Sequence, residues 1–93
     1  MPHFVYILEM LTGQLYVGTT GHLKRRLSDH AKGFGHRTTH LGGYKRLLYT
    51  EYHPNRLSAV RRERQIKGWS RAKKLALASG NLTTLRGMSK RRR

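Results

Sequence analysis

Glu63 is the residue least suited to its neighbourhood in this sequence. Around it, Ala59, Val60, Ile66 and Lys67 share one side of a helical pattern, while Arg61, Arg62, Arg64 and Gln65 lie mostly opposite. A carboxylate on an apolar helix face is costly unless a cation or a metal compensates it. Two readings are open. One is a buried ion pair, with Arg26 as a partner. The other is a divalent-metal ligand, because Mg²⁺ needs only one or two protein carboxylates and fills its shell with water and phosphate oxygens.

Arg26 and His30 stand four residues apart on another helical pattern, beside the apolar stripe Leu23, Leu27 and Ala31. They belong at the edge of the core. The guanidinium fork matches two phosphate oxygens and stays charged; its plain alternative is a solvated helix arginine. His30 can shuttle a proton near neutrality, or sit hydrogen-bonded in a core. Tyr6 and Tyr16, considered alone, are strand aromatics of the packing kind. Gly18-Thr19 follows Tyr16 closely, and a strand glycine often marks a place where another group comes near. A phosphodiester lying against Gly18 would meet the tyrosine hydroxyls. His36 and His40 have metal-like spacing but fall in a glycine-rich loop, so no zinc site is expected. There is no phosphate-binding glycine loop ending in Lys-Ser/Thr, no defensible Ser-His-Asp order and no paired carboxylates.

These residues need elements to position them. Residues 3–10 alternate, with Phe4, Tyr6, Leu8 and Met10 on one face and Val5, Ile7 and Glu9 on the other. Thr12-Gly13 is a turn signal, and residues 14–19 form a second strand. A three-residue loop, Leu11-Thr12-Gly13, pairs Met10 with Gln14 and puts Tyr6 and Tyr16 on one face; a two-residue loop would separate them. Thr19-Thr20 offers a cap for a helix from Gly21 to Lys32. Residues 33–45 read as a loop and 46–52 as a third strand. A second helix runs from Leu57 to Gly68, with Trp69 as a core anchor. Ser70 caps a third helix to Ser79, which Gly80-Asn81 ends. Leu82, Leu85 and Met88 add one short packed turn. The fold class is α+β in one domain, residues 1–88, followed by a basic, disordered tail, 89–93.

Charge sets the partner class. Twenty Lys and Arg oppose four Asp and Glu in 93 residues, a net +16. Such density is self-repelling and points to a polyanion, nucleic acid above all. Lys24, Arg25, Arg37, Arg62 and Lys67 are taken as nucleic-acid contacts. There is no cysteine, so no disulfide or thiolate site, which fits a reducing compartment. No apolar run reaches the roughly 20 residues of a membrane span, and the N-terminus lacks the pattern of a signal peptide. A cytoplasmic location is expected.

The ordered pieces resemble a known family. Phe4-Val5-Tyr6, then Tyr16-Val17-Gly18, Leu23-Lys24-Arg25-Arg26-Leu27 with His30, Leu48-Tyr49-x-Glu51 and Ala59-x-x-Arg62-Glu63-x-x-Ile66-Lys67 are similar to the GIY-YIG nucleases, in their small stand-alone bacterial branch. The resemblance implies a three-stranded antiparallel sheet with helices packed on it, and cleavage of DNA phosphodiesters with one divalent metal, Mg²⁺ or Mn²⁺. It implies Tyr6 and Tyr16 as motif tyrosines, Gly18 as motif glycine, Arg26 on the scissile phosphate, His30 at a histidine-or-tyrosine position and Glu63 as metal ligand. A tyrosine, helped by nearby cations, would accept the proton of the attacking water, and His30 would relay it. Phe4 replaces the first motif glycine, and Val5 and Val17 replace isoleucines. Thr19 stands where some repair members carry lysine, so no lysine-assisted base is expected, and Asn81 has no assigned role. The substrate expected is DNA, branched or flapped, with RNA less favoured and no membrane partner. The alternative is a nucleic-acid-binding protein that keeps the fold without cleavage.

Overall fold

A strand with apolar side chains on both faces must be covered on both, and residues 3–10 become the centre of the molecule. A computed structural model describes residues 1–31 and 43–80. In it β1 (His3–Met10) lies between β2 (Leu15–Thr20) and β3 (Tyr44–His53) in an antiparallel sheet of order β2-β1-β3. The helices are α1 (Leu23–Ala31), α2 (Arg56–Lys67) and α3 (Arg71–Ser79). Val5, Tyr6, Ile7 and Leu8 are all fully buried.

The turn geometry decides which side chains meet. Gly13 adopts φ +90°, a conformation open to glycine at no steric cost. Its N–H donates to the Met10 carbonyl, and the Met10 N–H donates to Gln14, each at 2.8 Å. This is the three-residue loop. It sets Tyr6 opposite Gly18 and Leu8 opposite Tyr16, so Tyr6, Tyr16 and Gly18 share a face, as the residue pattern requires.

Each face has its own core. Val5, Ile7 and Val17 pack against Ala59 and Ile66 of α2 and Leu77 of α3. Tyr6, Leu8 and Met10 pack against Leu23 and Leu27 of α1, with Tyr16 and Tyr44 beside them. A fully buried branched aliphatic contributes roughly 1.5–3 kcal/mol, so Val5, Ile7 and Ile66 weigh heavily in so small a domain.

Several boundaries differ from expectation for local reasons. The first helix starts at Leu23, not Gly21, because the Thr20 hydroxyl accepts the His22 N–H (3.0 Å) and the His22 carbonyl takes the Arg26 N–H (2.9 Å). The hydroxyl of Thr20 thus closes a turn before the helix instead of capping it. The third strand begins at Tyr44, inside the expected loop, because Tyr44 pairs with Met10 and packs in the α1-side core after two register shifts. The second helix starts at Arg56, where the Asn55 side chain accepts the Ser58 N–H at 2.9 Å. Ser70 caps α3 as expected, and Gly80, at φ +77°, ends it. His36, Arg37, His40, Asn81, the turn at Leu82, Leu85 and Met88, and the tail 89–93 lie outside the described residues. Among the described residues, no helix is long and apolar enough to cross a membrane.

Candidate active site

β1 and β2 present Tyr6, Tyr16 and Gly18 towards α1, and α1 answers with Arg26 and His30. Tyr6 is the hub. Its hydroxyl lies 2.8 Å from His30 Nε2, and the Arg26 charge acts on it as well. The Tyr16 ring stands 6.2 Å from that of Tyr6 and 5.0 Å from that of His30, centre to centre. His30, expected at the edge of the core, is fully buried within it. Arg26 is half-buried and lines a cavity of about 200 Å³ with Thr20, His22, Arg25 and Asp29. Phosphate oxygens entering there would meet its guanidinium.

Gly18 is needed by the protein itself. A Cβ at this position would stand 2.6 Å from the Tyr6 hydroxyl oxygen and 3.0 Å from Cε2 of Tyr16. The close neighbour is the Tyr6 phenol, which occupies the space where a phosphodiester was expected to approach the backbone.

Burial dominates the tyrosines' chemistry. It pushes the Tyr6 hydroxyl up to about 12, against the hydrogen bond from Arg26, which pulls it down. Tyr16 is also raised by burial, opposed by the charges of Arg26 and Lys67. Both phenols are therefore neutral at physiological pH. The basic surface does not turn either into a ready tyrosinate, contrary to the direction expected from net charge. The hydrogen bond to Tyr6 in turn raises Arg26, which keeps its charge.

Glu63 comes from the other side. The tyrosines face α1, whereas α2 packs on the opposite face of the sheet. Glu63 nevertheless acts electrostatically on both Tyr6 and Tyr16. Its ion-pair partner is Lys67, one turn on, at 2.9 Å, and not the Arg26 considered from sequence. The Glu63 side chain is 17% exposed and that of Lys67 55%. Among the described residues, no three His, Cys, Asp or Glu are grouped to hold a metal.

The expected nucleic-acid contacts divide. Lys24 and Arg25 are exposed on α1, and Lys67 is exposed beside Glu63. Arg62 is engaged inside the protein: its Nε donates to both oxygens of Glu51, at 3.2 and 3.1 Å, and its Nη1 to Gln65 at 2.9 Å. It also lies 5.2 Å from the centre of the Trp69 ring, with Lys73 at 4.3 Å. Trp69 is the half-buried anchor expected, but it carries two cations.

Glu51 is a second hub, which in sequence stands out only within Leu48-Tyr49-x-Glu51. It accepts from Tyr49 at 2.6 Å and pairs with His53, whose other ring nitrogen is 3.1 Å from the Ser58 hydroxyl. Burial works to raise the Glu51 carboxyl, but the hydrogen bonds from Tyr49 and His53 and the charge of Arg62 outweigh it and hold the group below its ordinary value. Burial and the bond to Glu51 push Tyr49 up to about 12. The signal was available: Tyr49, Glu51 and His53 alternate on one strand face, towards the helix that carries Arg62.

Residues 2–76 match the family described as the GIY-YIG catalytic domain. UPF0213 protein BH0048 of Halalkalibacterium halodurans is 42% identical over 79 residues, covering 85% of this chain and 84% of that protein. UPF0213 proteins of Staphylococcus saprophyticus and Natronomonas pharaonis are 35% and 36% identical, each over 83% of this chain and over 94% and 91% of the relative. The solution NMR structure of UPF0213 protein BH0048 superposes with a TM-score of 0.55 at 41% identity, covering 85% of this chain and 84% of that one. It shares the three-stranded antiparallel sheet and its helices.

Proposed function

The chain belongs to the GIY-YIG catalytic-domain family, and on that premise we propose that it is a divalent-metal-dependent endonuclease acting on DNA, guided by structure more than by sequence. The observation that carries the reading is the Tyr6 hydroxyl 2.8 Å from His30 Nε2, with the Arg26 charge acting on the same hydroxyl. It joins a fixed cation to a proton path at one atom.

Arg26 binds the scissile phosphate and stabilises the charge that develops on its oxygens. The attacking water gives its proton to the Tyr6 oxygen while Tyr6 passes its own to His30 Nε2. A relay of this kind never requires a free tyrosinate, which burial disfavours. It needs a neutral His30 with Nε2 as acceptor. Tyr16 closes the side of this path. Glu63 fits Mg²⁺ or Mn²⁺, since a lone half-buried carboxylate suits a hard cation that keeps most of its shell as water and phosphate oxygens. When bound, the cation would supply positive charge to the phosphate and the leaving oxygen.

One observation favours a second reading. Lys67 already neutralises Glu63, as in a nucleic-acid-binding protein that keeps the fold without cleavage. The test is a panel of branched, flapped and linear DNA with Mg²⁺, with Mn²⁺ and with EDTA. Metal-dependent nicking, lost in Glu63→Gln while binding persists, supports the nuclease. Binding without cleavage on every substrate overturns it. Affinity should fall steeply with salt, as it does where phosphate contacts dominate. The cytoplasm is where such a protein would meet its DNA.

A further inference from the structure

The face that carries Tyr6 continues past the cover of α1. Three residues form its next rung: Thr20 on β2, Phe4 on β1 and Tyr52 on β3, since Phe4 pairs with Thr20 on one side and with Tyr52 on the other. The rung beside it is Gly18, Tyr6 and Thr50. Tyr52 is thus the diagonal cross-strand neighbour of Tyr6, about 7–8 Å away backbone to backbone. Its side chain is not in the core. Tyr52 is 63% exposed, and the half-buried Phe4 braces it edge-to-face, ring centres 6.0 Å apart at 72°.

An exposed aromatic ring held by a second ring is a preset surface for stacking. Its surroundings select the occupant. Thr20, on the same rung, also lines the cavity formed with His22, Arg25, Arg26 and Asp29. A strand whose phosphate entered that cavity would run beside Tyr52. In a chain of net charge +16, the apolar group brought to this ring is one carried on a polyanion, and a nucleobase is that group. A base can lie flat on a side chain only when it is released from its duplex stack.

We propose that Tyr52, braced by Phe4, stacks an unpaired base of the DNA strand whose phosphate is held at Arg26, so that the protein selects DNA with unpaired nucleotides next to the bound phosphate. This rests on the DNA-directed reading above and adds to it a residue outside the family's motif positions. Stacking of one base on an aromatic side chain corresponds to a factor of roughly 5 to 150 in affinity.

The experiment is fluorescence anisotropy in EDTA, so that binding is read without cleavage. The probes are a duplex with a single-stranded arm and a continuous duplex of the same sequence. Tyr52→Ala should weaken armed DNA at least fivefold and leave the continuous duplex within about twofold, while Tyr52→Phe binds like the parent. Equal losses on both probes, no loss on either, or a larger loss on single-stranded RNA than on armed DNA would overturn the proposal. Because Tyr52 is exposed, an unchanged thermal melt of the alanine variant separates stacking from misfolding, and the phenylalanine variant tests the ring directly. The Glu63→Gln cleavage panel reads the nuclease assignment independently, so either can fail alone.

Discussion

Gly18→Ala is the sharpest test of how the candidate site is built. The added carbon would stand 2.6 Å from the Tyr6 hydroxyl oxygen, 2.7 Å from Tyr6 Cζ and 3.0 Å from Tyr16 Cε2. Carbon contacts are normally about 3.5–4.0 Å, so the phenol must retreat by about 1 Å. It has nowhere to go: Tyr6 is fully buried and its hydroxyl is fixed 2.8 Å from His30 Nε2. Overpacking of this kind costs about 1–3 kcal/mol, and the depth of the overlap puts it at the upper end. The backbone at Gly18 is not in the positive-φ region, so alanine also stiffens the unfolded chain and returns about 0.4–1 kcal/mol. The net loss is about 2 kcal/mol, or roughly 8–16 °C in Tm at the 4–8 °C per kcal/mol typical of a domain this size. Urea and thermal unfolding followed by circular dichroism would measure it. In a Tyr6→Leu background the same substitution should cost clearly less, because the nearer of the two clash partners is gone and only Tyr16 Cε2 at 3.0 Å remains. If the glycine instead keeps room for a DNA backbone, Gly18→Ala will be as stable as the parent or more so, and will lose only DNA affinity. That result would refute the packing argument.

Two further predictions concern ionisation. Glu51→Gln removes the negative centre shared by Arg62 and His53, whose side chains are 25% and 17% exposed; the variant should lose about 1–3 kcal/mol in urea unfolding at pH 7. Glu51 is depressed in the fold, so its stabilisation is present above its ordinary value near 4.5 and is lost as pH falls through the lower folded value; Glu51→Gln should flatten the acid limb of a Tm-against-pH curve, and an unchanged limb would contradict the network. At the other end, Tyr6 and Tyr49 are raised from 10.0 to about 12. The fold therefore keeps their contribution below about pH 10 and loses it as pH rises towards 12. An ultraviolet titration of the folded protein should show Tyr6 and Tyr49 ionising late among the five tyrosines, and Tyr6→Phe should soften the alkaline fall in Tm; five tyrosines titrating together near 10 would refute this.

The sheet and the meeting of Tyr6 with His30 were legible in sequence for the same reason. Both depend on period-two alternation and on a single turn, and Thr12-Gly13 marks that turn with a residue that accepts positive φ. The i, i+4 spacing of Arg26 and His30 likewise places both over the tyrosine face. What periodicity cannot carry is the choice between two faces of one sheet. Val5 and Tyr6 are equally buried, so nothing local says that α1 covers the tyrosines while α2, with Glu63, covers the other side. The same gap hid the true neighbour of Gly18. A missing side chain signals that something comes close, but only the cross-strand register identifies it as Tyr6. The internal partners of Arg62 were not legible because helical alternation sorts residues by face and does not reveal that Glu51, on β3, accepts from its guanidinium.

The four acids of the chain differ in their partners, and the nuclease reading proposed above puts the metal at Glu63 rather than Glu51 for that reason. Glu9 pairs with Arg46 across the β1–β3 register at 2.6 Å, and Asp29 lines the cavity beside Arg25 and Arg26. Glu51 has both oxygens engaged by Arg62, with Tyr49 and His53 on one each. A cation entering there would have to break three partnerships and strand the half-buried Arg62. Among the described residues the ion-pair partner of Glu63 is Lys67, which is more than half exposed. The lysine end of the pair reaches solvent, so a released Lys67 would return to water, while Glu63 would need a replacement cation. The ammonium thus covers the carboxylate without committing it. On the nuclease reading proposed above, a divalent cation arriving with DNA would displace Lys67 from Glu63, whereas on the binding-only reading the 2.9 Å pair would persist.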